Sequence, residues 1–240
     1  MAAAKLATLF HMLRGQQRHG SHAQRLQAFY APQAQDYDDF RERLLHGRRE
    51  LAERVMAGLP APAGATLVEL GAGTGRNIEF FGASLARFER VTLVDLCPAL
   101  LEIARQRTRA RPNVRVIEAD ALCFRPDQAV DAVIFSYSLT MIPDWQSAIA
   151  NALAMLKPGG MLGVVDFTVS QHQSGFARRF WKTWFGHDGV RLSLDHASAL
   201  RRHLPDHHFA ERRASLPYLP GLTVPYYLFV GRKPFHQTAI

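Results

Sequence analysis

The chain of 240 residues predicts an α/β fold, a central and mostly parallel sheet with helices on both faces, preceded by a helical extension. Three observations carry this. Between residues 66 and 167, short apolar runs alternate with helix-compatible segments. A glycine-rich loop stands where the first run gives way to a helix. Acidic residues stand at or beside the carboxyl ends of the first three runs.

Taken in order, the first 60 residues are polar and helical. Leu44, Leu45, Leu51, Val55 and Leu59 recur at roughly helical spacing, which predicts a helix ending near Gly58. PAPAG, Pro60 to Gly64, marks a linker. The apolar runs follow as Thr66–Leu70, Val91–Leu96, Val114–Ala119, Ala132–Ser136 and Met161–Phe167. Their alternation with helices argues for parallel strands joined by right-handed crossovers. KPGG, Lys157 to Gly160, reads as a tight turn feeding the fifth strand. After Ser170 the alternation stops and the chain turns basic and aromatic. VPYYLFVGRK, Val224 to Lys233, reads as a last strand. The division is an N-terminal cap over 1–60 and a main domain over 61–240, within which 171–215 is a basic, aromatic insertion.

Composition bounds the function. Apolar residues make up 48% of the chain, enough for a packed core. No uninterrupted apolar run approaches the ~18 residues of a membrane span. His11 interrupts the stretch Leu6 to Leu13 and no small-residue cleavage site follows, so no signal peptide is expected. Cys97 and Cys123 lack metal-ligand spacing and suit a reducing compartment. The net charge is +8, and the middle of the chain is close to neutral. Residues 170–240 carry ten Lys or Arg against four acids, so that end is suited to an anionic surface, a nucleic acid or an acidic substrate, or is simply a solvated face.

VELGAGTGRN, Val68 to Asn77, follows the first strand and opens a helix. Gly71, Gly73 and Gly75 permit a tight turn and close approach of a ligand to the backbone. A dinucleotide loop would place glycine where Arg76 stands. Asp95 ends the second strand, where an acid accepts both hydroxyls of a ribose or simply caps the helix that Pro98 begins. Asp120 ends the third strand in EADAL, and Glu69 immediately precedes the glycine loop. This G-x-G-x-G form resembles the cofactor loop of class I methyltransferases. The resemblance implies a Rossmann-like, seven-stranded sheet and the cofactor S-adenosylmethionine at its carboxyl edge. It also implies contacts from Glu69, Gly71, Ala72, Gly73, Gly75, Asp95, Leu96, Asp120, Ala121 and Ser136.

A longer pattern is more specific. FYAPQAQDYDDFRERLLHGR (Phe29 to Arg48), FSYSLTMIPDW (Phe135 to Trp145), KPGGMLGVVDF, the pair Asp195–His196 and VPYYLFVGRK follow in order. Together they resemble the N-methyltransferase of bacterial betaine-lipid synthesis, over about Tyr30 to Lys233. That resemblance implies threefold methylation of the amine of diacylglycerylhomoserine to give diacylglyceryl-trimethylhomoserine. SYSLTMIPDW and VPYY are the discriminating pieces. The resemblance supplies no catalytic residue, so the chemistry follows from residue types.

Methyl transfer to an amine needs a neutral, aligned nucleophile and no metal. Aromatic faces suit a site that creates a trimethylammonium, which nominates Tyr137, after the fourth strand, and Tyr37, on the N-terminal segment. His196 and Asp144 are candidates for the proton released, although Asp144 is equally placed to cap the helix at Trp145. An arginine would suit the substrate carboxylate, with Arg178, Arg179 and Arg191 available. SGFARRFWKTWFG, Ser174 to Gly186, interleaves aromatics with basic residues, as an interfacial or lid helix does. The expected partners are a lipid head group and an anionic membrane surface, with no nucleic acid, and the expected location is the cytoplasmic face of the cell membrane. The alternatives are a quinone C-methyltransferase or a phosphatidylethanolamine N-methyltransferase on the same fold. An RNA methyltransferase or nucleic-acid binder is more remote, because no RNA-binding module and no N-P-P-Y-type loop stands after the fourth strand.

Overall fold

The computed structural model describes residues 20–31, 38, 42, 44–61, 63–169, 190–215 and 222–235, with isolated positions 175, 179, 181 and 186. Tyr37 and most of the aromatic segment 174–186 lie outside the described residues. Seven strands form one sheet in the order β3-β2-β1-β4-β5-β7-β6. They are β1 Thr66–Leu70, β2 Arg90–Asp95, β3 Val114–Glu118, β4 Val130–Ser136, β5 Leu156–Phe167, β6 His207–Ser215 and β7 Thr223–Arg232. β1 to β5 are parallel, while β7 runs antiparallel to both β5 and β6. The strand order reverses between β1 and β4, and in such sheets ligands bind outside the carboxyl ends at that reversal.

The α/β reading holds, with three refinements. The sequence does not announce β6, because HHFAERRAS is a polar edge strand with few apolar side chains to alternate. KPGG is absorbed into β5: Gly159 at φ +77° kinks the strand, and Gly159 and Gly160 exchange hydrogen bonds with Lys233. The helix opened by the glycine loop is a 3₁₀ segment, Arg76–Arg87, interrupted at Gly82.

One face of the sheet buries Leu67, Leu93, Ile134 and Val165 beneath the 3₁₀ segment and helix α2, Arg48–Gly58. α2 forms where predicted. Its Leu51 and Val55 point to the sheet, and Glu50 pairs with Arg54 one turn on at 2.8 Å. Gly163 of β5 is required there, since a Cβ would sit 2.7 Å from Val55 and 2.9 Å from Leu51. Helix α3, Pro98–Thr108, begins with proline at its first position, where no amide is needed. The opposite face buries Val68, Val94, Phe135, Tyr227 and Phe229 under α4, Trp145–Met155, and α5, Asp195–His203. A small third cluster joins Leu26, Phe29 and Tyr30 of α1, His22–Tyr30, to Cys97 and Leu100. α1 begins with a capping box from Ser21 and Gln24, and it lies over the carboxyl edge of the sheet. None of the described helices is long and apolar enough to cross a membrane.

Candidate cofactor and acceptor site

Among the described residues, two hollows flank the sheet. The larger, about 320 Å³, lies at the amino ends of the strands among Arg90, Arg115 and Arg125. The smaller lies at the carboxyl edge and collects the chemistry. Its walls are Gly71 and Gly73, Asp95 and Leu96, Asp120 to Leu122, Tyr137 and Ser138, Met141 to Pro143, and His22, Leu26 and Tyr30 of α1. Position and residue type select the second, which encloses about 90 Å³ because α1 lies across it.

The glycine loop turns immediately after β1. The amides of Gly71 and Ala72 both donate to Val94 O, at 2.8 and 3.0 Å, which fastens the loop to β2. Gly71 has φ +74°, and a Cβ there would lie 2.3 Å from Ser138 Cβ, so only glycine lets the two walls meet. Gly75 has φ +68° and packs on Leu93 and Ala104, which seats the 3₁₀ segment on the sheet.

Asp95 accepts from the amides of Gly73 and Cys97, both at 2.8 Å. Burial raises its pKa, and those backbone amides oppose the rise. It lines the cleft, where a carboxylate is suited to ribose hydroxyls. Asp120 on the next strand end accepts from Leu122 N at 2.9 Å and lines the same wall.

Glu69 lies under the loop with no exposed surface. Asn77 Nδ2 donates to its Oε1, while Oε2 is buried without a hydrogen-bond partner. Burial pushes its carboxyl up to about 8, against the opposing pull of Asn77 and Arg48. Arg48, itself buried, donates to Asn77 Oδ1 at 3.4 Å and to Glu42 at 2.9 Å. A polar chain therefore runs from Glu42 through Arg48 and Asn77 to Glu69. Asp38 adds a second tie, accepting from Thr74 Oγ1 at 2.7 Å and pairing with Arg107. The N-terminal segment thus braces the glycine loop. Glu69 is not itself among the cleft walls, and with its carboxyl at about 8 it has to ionise before it pairs with the ammonium of an amino-acid-bearing nucleoside. Asp95 and Asp120 are the acids that line the cleft, and they suit the hydrogen-bonding groups of a nucleoside.

The acceptor wall is the turn after β4. Tyr137 sits at φ +55°, a left-handed conformation that costs a non-glycine residue ~1–2 kcal/mol. It is held there by its own amide on Val165 O at 2.8 Å and by its hydroxyl on His46 O at 2.7 Å. Its ring packs on Phe167 with centroids 4.6 Å apart. The strained turn brings Ser138 Oγ onto Leu70 O at 2.7 Å. Asp166, buried at the end of β5, accepts from Thr140 N at 3.0 Å and Thr140 Oγ1 at 2.7 Å, tying the turn down. Burial raises Asp166 to about 6.

Several expected roles change. Tyr137 lines the cleft, but its hydroxyl is engaged with His46 O and is not available to an amine. Asp144 is the N-cap of α4, accepting from Ser147 N at 3.2 Å. His196 is away from the cleft walls, buried beside the Trp145 ring at 4.6 Å with neither ring nitrogen partnered, and burial lowers its pKa to about 4. Ser136 is buried in β4 with an unpartnered hydroxyl and is not among the cleft walls, where Ser138 stands instead. Tyr37 lies outside the described residues. Trp181, counted among the interfacial aromatics, is buried against the domain, whereas Arg179 is exposed.

Sequence reasoning missed His22, Asp166 and Ser138. Asp166 carries the signal that revealed Asp95, an acid closing a buried apolar strand in VVDF as in LVDL. His22 has no such signal, because α1 carries it to the cleft from outside the sheet.

Residues 67–160 match the family described as a methyltransferase domain. The chain is 30% identical over 187 residues to demethylmenaquinone methyltransferase of Tropheryma whipplei strain Twist, covering 73% of this chain and 71% of that protein. It is 29% identical over 163 residues to 2-phytyl-1,4-naphtoquinone methyltransferase of Thermosynechococcus vestitus, covering 67% and 71%. In fold it resembles the N-methyltransferase NodS of Bradyrhizobium japonicum WM9 in complex with S-adenosyl-l-homocysteine, with a TM-score of 0.57 at 21% identity over 78% of this chain and 87% of that one. With the glycine loop, the strand-end acids and the seven-stranded sheet in place, the chain belongs to the class I S-adenosylmethionine-dependent methyltransferases.

Proposed function

We propose that this methyltransferase acts on a lipid-borne acceptor at a membrane surface, and that the acceptor is the amine of diacylglycerylhomoserine. The observation that carries the reading is the place of the SYSLTMIPDW stretch. The stretch that resembles the aminolipid enzymes lines the cleft with Tyr137, Ser138, Met141, Ile142 and Pro143. Specificity resides where the acceptor sits, whereas the glycine loop and its acids serve any methyl acceptor.

S-adenosylmethionine, when bound, supplies an electrophilic methyl on its sulfonium. The protein has to align a neutral amine behind that methyl and take up the protons released in the first two transfers. Among the cleft walls, His22 is suited to that second task. It is half-buried, and burial followed by the nearby charge of Arg25 lowers its pKa below 6.5, so its imidazole is neutral at pH 7 and able to accept a proton directly or through water. The Tyr137 ring, fixed by Phe167 and His46, contributes an aromatic wall.

A second reading has a specific observation in its favour. The two relatives described above carry names of quinone methyltransferases, and a relative from Shewanella halifaxensis is named a ubiquinone/menaquinone biosynthesis C-methyltransferase. A quinol carbon also needs a base, which His22 serves equally. Purified protein supplied with methyl-labelled S-adenosylmethionine and, in turn, diacylglycerylhomoserine, phosphatidylethanolamine and a demethylmenaquinol separates them. Label in mono-, di- and trimethylated homoserine lipid supports the leading reading. Label confined to the quinol replaces it with the second.

A further inference from the structure

The arginines bracing the glycine loop are paired with carboxylates. Arg48 and Arg76 meet Glu42, and Arg107 meets Asp38 and Glu79. Two arginines outside the cleft walls, one bonded to the turn after β4 and one on α1, are different. Arg191 is fastened beside the acceptor wall by its amide, which donates to Thr140 O at 2.8 Å, and its side chain is exposed. Arg25 stands on α1 one turn from His22, and its guanidinium holds only the carbonyl of Gly20, at 2.7 Å. Neither has an acidic partner among the described residues. Both charges are felt at His22, which lines the cleft. The carboxylate that acts on His22 in the opposite sense is Asp120, itself a cleft wall, where Leu122 N occupies one of its oxygens.

Two guanidiniums without an acidic partner among the described residues, both acting on one histidine of a narrow, partly apolar cleft, attract an anion more strongly than the same charges in open solvent. We infer that Arg191 and Arg25 form a subsite for an anionic group, a carboxylate or a phosphate diester, carried by the methyl acceptor close to its nucleophilic atom. The inference rests on the methyltransferase reading of the cleft and narrows its substrate class. A zwitterionic head group, with an amine beside an anion, satisfies the subsite, and an uncharged quinol leaves it empty. Of the three arginines that the sequence offered for this role, Arg191 has its amide bonded to the turn after β4, and Arg178 lies outside the described residues.

The test uses the full chain loaded with S-adenosylhomocysteine for binding and with S-adenosylmethionine for turnover. The acceptors are diacylglycerylhomoserine, phosphatidylethanolamine and a demethylmenaquinol, each in neutral detergent micelles. Wild-type protein is expected to bind at least one of the two zwitterionic lipids more tightly than the quinol. Arg191→Gln, and more so Arg191→Gln with Arg25→Gln, is expected to weaken that binding and raise KM about tenfold or more. Affinity for S-adenosylhomocysteine stays unchanged. Arg191→Lys recovers part of the loss, and Arg202→Gln, in the exposed last turn of α5, has no effect. Preference for the homoserine lipid identifies a carboxylate, and preference for phosphatidylethanolamine identifies a phosphate. Quinol binding as tight as that of either zwitterion, or zwitterion binding untouched by the double substitution, overturns the subsite. Loss of S-adenosylhomocysteine binding in the wild type would instead overturn the reading on which it rests.

Discussion

Replacing Glu69 by glutamine separates what this residue costs the fold from what it does for the cofactor. Burial holds its carboxyl at about 8, against 4.5 when exposed. The folded state therefore keeps a proton that the unfolded chain releases, and stability present below pH 4.5 is lost as pH rises to 8. Each pH unit in that window removes about 1.4 kcal/mol, so about 5 kcal/mol is lost across it. Glu69→Gln has no proton to lose, so denaturant unfolding followed from pH 5 to 8 should show the variant gaining on the wild type by about 4 kcal/mol. Parallel pH profiles for the two proteins would refute the buried-acid account. The same group predicts proton release on cofactor binding. At pH 7 the α-amino group of S-adenosylhomocysteine is mostly an ammonium, and pairing with it requires Glu69 to ionise. Calorimetry in phosphate and Tris buffers at pH 7 should report close to one proton released by the wild type, none by Glu69→Gln, and weaker binding by the variant.

Asp95→Ala removes an acceptor for ribose hydroxyls and for the Gly73 and Cys97 amides, so affinity for S-adenosylhomocysteine should fall tenfold or more by calorimetry. Tyr137→Phe loses the bond to His46 O and about 1 kcal/mol of stability in urea unfolding, yet keeps most activity because the ring remains; Tyr137→Ala should lose much more activity. His22→Gln should lower kcat by ~10²-fold with cofactor affinity unchanged, and an unaltered kcat removes His22 from proton transfer. His196 has its pKa lowered to about 4, so the stability it allows above pH 6.5 is lost as pH falls toward 4. Thermal unfolding of His196→Leu should show less acid destabilisation than the wild type over that range.

The fold and the cofactor half of the site were legible because their signals are local. Gly71, Gly73 and Gly75 all take positive φ, so backbone geometry alone demands glycine at those places. Asp95 and Asp120 stand at strand ends, where an apolar run stopping at an acid is visible in a single line of sequence. β6 escaped because an edge strand facing solvent needs no alternation. The role of KPGG was misread because a glycine kink inside a paired strand and a turn before it have the same composition.

The acceptor side was less legible for a different reason. Residue type says what a side chain is able to do, but whether it is free to do it depends on the partners tertiary packing supplies. Tyr137 has its hydroxyl claimed by a carbonyl 91 residues upstream. Asp144 is consumed by its own helix, and His196 is sealed against Trp145. Conversely, His22 and Arg191 reach the cleft from outside the sheet. α1 is docked by Leu26, Phe29 and Tyr30 on Leu100 and Cys97, with Gln27 bonded to Cys97 Sγ at 3.1 Å, while Arg191 is bonded through its amide to Thr140 O and stands between Val190 and Leu192, both buried in the core. The α1 contact is small beside the two cores under the sheet. His22 is therefore brought to the cleft by a few contacts between elements far apart in the chain, which no single stretch of sequence displays, whereas Asp95 closes a strand and is visible in one line.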